Sequence, residues 1–181
     1  MKLNFVVIAL ALAIVGFETI AQDLPIDAET QKIAFTEVVT ADGVSKEELY
    51  KRAAEWSKKY VKVLDNKAEG KYTSKAIIKS KYPAPMKGYF HDGELNGIVS
   101  IACKEGKYKY EITDLTHTST RGNGGKLENK VPECGKYTLT LDGWAAIRGQ
   151  AKTEFPKLVE SLKAAMTKAA PVSAGKSKED W

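Results

Sequence analysis

Two histidines, two cysteines and several evenly spaced lysines are the side chains here whose types and spacing bear on chemistry. His91 and His117 have no cysteine or second histidine at ligand spacing, so neither reads as a metal ligand. His91 stands in "FHDG", a turn-like string. "RGNGGK", from Arg121 to Lys126, is rich in glycine but fails the phosphate-loop pattern. Thr120 stands where that pattern needs a glycine, and Leu127 follows Lys126 where a hydroxyl residue is needed. No serine or cysteine sits in a nucleophile elbow, and Cys103 falls mid-way through a core-facing pattern. No acid, base and nucleophile come together, so no catalytic, metal or cofactor residue is assigned. A periplasmic enzyme of unidentified reaction is the alternative reading.

Binding chemistry is better represented. Lys71, Lys75, Lys79, Lys107 and Lys109 fall at alternating positions of strand-like segments, with Thr73, Thr113, Thr138 and Thr140 between them. Projected from one sheet face, they would suit an anionic glycan, a lipid head group or an acidic partner protein. A second candidate is "YPAPMKGYFHDGELN", whose prolines and glycines mark a loop. In a loop, Tyr82, Tyr89 and Phe90 would be exposed and suited to stacking on a sugar or peptide.

The compartment limits which ligands count. The apolar run from Phe5 to Phe17 follows Lys2, and Glu18 interrupts it. That is well short of the roughly 20 residues a membrane-spanning helix needs. Small residues follow it, so residues 1–21 read as an export signal cleaved after Ala21, leaving no transmembrane anchor. No cysteine stands there to carry a lipid. Lys2 and Glu18 leave together, so the net charge of +5 is unchanged. The positive residues are nearly all lysine, with Arg52, Arg121 and Arg148 the exceptions. Arginine supplies the fork that reads phosphates and base edges. A lysine-rich exported chain is therefore not expected to bind nucleic acid; a protein or glycan of the cell envelope is the expected partner. Oligomeric state is not legible.

The positioning elements follow from periodicity. Lys32–Thr40 reads as a strand. Ser45 and Glu48 form a capping box ahead of Leu49, Ala53, Trp56 and Tyr60, which lie on one helical face. Val44 and Leu49 are placed as a hydrophobic staple. Short strands are expected near Tyr60–Asp65 and Gly70–Ser80. "GIVSIACKEGKYKYEITDL" reads as a hairpin turning at Glu105-Gly106. Its even register sets Cys103 against Tyr108, Ile101 against Tyr110 and Val99 against Ile112; a one-residue slip would put charges into the core. The stretch 119–135 reads as a polar loop, and "KYTLTLD" as a last strand with Tyr137, Leu139 and Leu141 on one face. A closing helix is expected after a Thr153 cap, with Phe155, Leu158, Val159, Leu162 and Met166 as its stripe. An even pair of cysteines in an oxidising compartment favours a disulfide. If, however, that last strand pairs as a meander with the strand before it, Cys103 and Cys134 lie at opposite ends of that earlier strand, too far apart to bridge. Residues 171–181 have a disordered composition.

Two amphipathic helices can cover one face of a sheet and leave the other wet. The expected fold is a two-layer α+β domain over residues 22–170: an antiparallel sheet of five or six strands with two helices on one face, in the order β-α-β-β-β-β-α. "IAFTEVVTADGVSKEELYKRAAEWSKKY" resembles the opening of the exported bacterial family called domain of unknown function 4468, and "KYKYEITDL" resembles its hairpin. The resemblance implies a fold like one half of the TATA-box-binding protein, with Trp56 as a core anchor. It carries no known reaction and no functional residues, and the shape alone does not imply DNA binding. The expected function is a non-catalytic binding or adaptor module.

Overall fold

A capping box, a hairpin in even register and a long apolar stripe decide most of the architecture. In the computed structural model, residues 24–167 are described; the expected leader and tail lie outside them. The elements are β1 (Phe35–Thr40), α1 (Lys46–Ser57), β2 (Val61–Asn66), β3 (Lys71–Pro83), β4 (Phe90–Lys104), β5 (Lys107–Thr118), β6 (Gly125–Lys126) and α2 (Leu141–Thr167). The strands form one antiparallel sheet in the order β1-β5-β4-β3-β2, and the two residues of β6 extend β5's outer edge beyond β1.

The central hairpin has the register its alternation demands: Cys103 pairs with Tyr108, Ile101 with Tyr110 and Val99 with Ile112. These side chains are buried on the face that carries both helices. Ser45 caps α1 by accepting the Glu48 N–H, and Leu49, Ala53 and Trp56 are buried behind it. Trp56 donates its indole N–H to Ser161 Oγ of α2 at 3.1 Å. Arg52 also reaches across, donating to the Met166 carbonyl at 2.7 Å and so satisfying an acceptor in the last turn of α2. α2 runs diagonally over the covered face, from Gln150 on the Lys81 backbone at β3, past Phe155 stacked on Phe35, to Lys163 on Glu37 of β1. No described element covers the other face.

Three expectations fail, each for a physical reason. "KYTLTLD" is not a strand: it turns into α2, with Tyr137 exposed and Leu139 buried. α2 starts at Leu141, well before Thr153. Thr140 serves as the cap, its hydroxyl accepting the Gly143 N–H, and Trp144, Ile147 and Ala151 continue the apolar stripe that Phe155 seemed to begin. Thr138 and Thr140 therefore lie off the sheet. Lastly, "YPAPMKGYFHDGELN" is mostly strand: β3 and β4 pair out to Pro83 and Phe90, leaving only Ala84–Tyr89 as the tip. Alternation on long strands outweighs one proline near a strand end.

Candidate functional site

The β3–β4–β5 pairing places the five sequence-predicted lysines on the uncovered face. Along β3, Tyr72, Ser74 and Ala76 point into the buried layer, so Lys71, Lys75 and Lys79 point out of it. Along β5, Tyr108 and Tyr110 are buried, so Lys107 and Lys109 point out. Lys71 and Lys109 flank Ala102 from either side of β4. Lys81 and Lys104 join the face by the same alternation. Its acids are fewer: Glu111 pairs with Lys109 at 2.5 Å, Asp92 with Lys81 at 3.9 Å, and Glu94 stands opposite Lys79. The floor between them mixes hydroxyl and apolar groups: Thr73 and Ser100 are hydrogen-bonded at 2.9 Å, and exposed Ile77 stands between Lys75 and Lys79.

The predicted aromatic trio is divided. Tyr89 and Phe90 are exposed at the β3–β4 tip, but Tyr82 is fully buried. Tyr82 is a strand residue on the covered face, and its hydroxyl donates to Ser119 Oγ at 2.9 Å. It belongs to the structure beneath the site, not to an exposed stacking surface.

That structure includes His117, which is buried between the rings of Tyr82 and Trp144. Its Nδ1 accepts the Gly124 N–H at 3.3 Å, and its Nε2 has no partner among the described residues. Burial pushes its pKa down to about 4, so the ring is neutral near pH 7. His91 lies on β4 with its ring edge against Tyr82, rather than in a turn. Gly93 is required beside this cluster. A Cβ there would collide with His117 Nε2 and meet both Ser80 Oγ and the Thr118 carbonyl at 3.1 Å.

Sequence reading missed a groove at this end of the sheet. β5 pairs with β4 only as far as Thr118 opposite Glu94. Beyond that pair β5 departs, and the freed edge of β4 faces residues 119–123 across a groove of about 740 Å³. Ser80, Asp92, Glu94, Thr118 and Asn123 line it, along with Lys79. The one signal in the sequence was the alternation of Phe90, Asp92 and Glu94, obscured while this stretch read as loop.

Elsewhere, Glu37 accepts from Tyr110 at 2.8 Å and pairs with Lys163 at 2.5 Å. Lys163, then Tyr110, holds its carboxyl below the usual range. Cys103 and Cys134 are both free thiols. No cluster of three or more His, Cys, Asp or Glu able to hold a metal occurs among the described residues.

The architecture, an antiparallel sheet with two helices on one face and a bare second face, is matched among known proteins. The family model of a domain of unknown function (DUF4468) with TBP-like fold matches residues 35–118. The similarity to that family covers those residues. That segment runs from β1 to the end of β5 and includes every lysine of the predicted face. Among solved structures, a DUF4468 family protein from Bacteroides ovatus ATCC 8483 superposes with a TM-score of 0.59 at 16% identity, covering 78% of this chain and 89% of that one. A TBP-like protein from Parabacteroides distasonis ATCC 8503 gives a TM-score of 0.50 at 15% identity, covering 78% and 98%. At such identities the likeness concerns the fold alone. No curated protein matches the chain.

Proposed function

We propose that this protein is an exported, non-catalytic binding module of the cell envelope that holds an anionic partner, an acidic protein or glycan, on its uncovered sheet face. One observation carries this reading: Lys71, Lys75, Lys79, Lys107 and Lys109 share that face with Lys81 and Lys104, and among the described residues only Asp92, Glu94 and Glu111 oppose them. The sheet fixes where the lysines start from, while their long stems let the ammonium groups adapt to a ligand. An acidic surface gains there from many weak contacts, each screened by salt. The export signal supplies the compartment in this reading.

The test is native mass spectrometry of the protein recovered from its own periplasm, beside a Lys75→Glu/Lys109→Glu variant. A co-purifying anionic partner that the variant loses, with binding that weakens as salt rises, is the expected result. Partner retention by the variant discards the lysine face, and turnover of any substrate by the purified protein discards the non-catalytic reading.

A further inference from the structure

The groove beside the freed edge of β4 has equipment that the lysine face does not use. Small-molecule sites are concavities of roughly 300–1,000 Å³ with a few fixed polar groups and apolar or aromatic walls. This one is an open groove of about 740 Å³. We propose that it is a saccharide subsite, taking an uncharged sugar of one or two rings.

Sugar hydroxyls both donate and accept, so their site needs acceptors, donors and groups able to do either. Asp92 and Glu94 accept, and the Asn123 amide does both. Thr118 Oγ1 accepts from Asn96 Nδ2 at 3.0 Å, which leaves its own proton available to the groove. Ser80 also lines the groove, but by the alternation that points Lys79 and Lys81 outward its side chain turns to the helix-covered face beside His117.

The second requirement is a flat apolar surface for the C–H face of the ring. Phe90, Asp92 and Glu94 alternate along β4 and so share one face, each about 6.6 Å from the next. Phe90 is 62% exposed at the outer end of that row. A ring lying on it would meet the Asp92 carboxylate directly. Charge favours neither competing ligand: Asp92 and Glu94 are balanced by Lys81, 3.9 Å from Asp92, and Lys79, opposite Glu94, so the groove offers no net charge to hold an anion or a divalent cation. An uncharged polyol needs none. This site uses neither Lys75 nor Lys109 and does not depend on export, although Lys79 and Lys81 belong to both surfaces.

The experiment follows backbone amide shifts of the full-length protein during separate titrations with maltose, cellobiose, lactose and diacetylchitobiose. At least one sugar is expected to move the amides of Phe90–Glu94 and Thr118–Asn123 saturably. Phe90→Ala and Asp92→Asn, each checked for an unchanged spectrum elsewhere, are expected to weaken that binding by about tenfold. Lys75→Glu/Lys109→Glu is expected to leave it intact, which separates this site from the lysine face. No saturable shift with any of the four sugars overturns the proposal. So does binding that survives both groove variants, binding lost in the lysine variant, or calcium chloride moving these amides when the sugars do not.

Discussion

The Tyr82 hydroxyl donates to Ser119 Oγ at 2.9 Å, and Ser119 in turn donates to the Asp92 carbonyl at 2.8 Å. A buried strand residue thereby holds the segment leaving β5 against the freed edge of β4, and the groove owes its far wall to that tie. Tyr82→Phe keeps the buried ring and removes only the first link. It is expected to cost about 1 kcal/mol, whereas Tyr82→Ala, which empties the ring site, is expected to cost about 3–5 kcal/mol. Urea denaturation of the three proteins checks the ordering. Equal loss in both variants would show that the hydroxyl, not packing, carries Tyr82's contribution.

His117 makes stability depend on pH. Its folded pKa of about 4 lies below the ordinary 6.5, so the unfolded chain binds the proton first. Its contribution is complete above about pH 6.5 and is lost as pH falls towards about 4. Urea midpoints are expected to drop steadily across that window. His117→Gln keeps an acceptor for the Gly124 N–H but does not titrate, so it is expected to flatten the slope. An unchanged slope would assign the pH dependence to other groups.

The two thiols are expected to differ in reactivity. Cys103 is 2% exposed, and burial pushes its pKa up to about 11. Cys134 is half-buried beside Gly122, with burial raising its pKa too. The thiolate is the reactive form and must be reached by the reagent. A thiol-exchange assay on native protein should therefore modify Cys134 first and Cys103 only on unfolding; equal rates would contradict this.

Local signals made much of the fold legible. Ser45 and Glu48 announced the start of α1, and a single even register satisfied every apolar residue from Val99 to Ile112. The five lysines followed, because alternation alone decides which face a strand residue takes. What failed needed tertiary context. Tyr82 read as loop because Pro83 and Pro85 are strong local breakers, yet the pairing of β3 with β4 continues to Pro83. The first half of α2 was hidden by glycines at 143 and 149 and by the β-rich look of "KYTLTLD"; burial of Trp144 and Ile147 against the sheet compensates for weak helix propensity there. Of the groove, only the wall formed by Asp92 and Glu94 left a trace in the sequence, as alternation; the gap itself left none. It arises because two strands part company at Glu94 and Thr118, and no composition records where a pairing stops.

β5 gains one residue on β4 between Ile112 and Thr116, where Asp114 sits at a φ of 52°. The last stretch of β5 is thus in phase only by virtue of an insertion. Without it, the imidazole now wedged between Tyr82 and Trp144 would swing to the solvent side, and the hydroxyls of Thr116 and Thr118 would be driven into oil. A single surplus amino acid, tolerated because aspartate accepts a left-handed backbone, acts as the frame-setter for everything downstream.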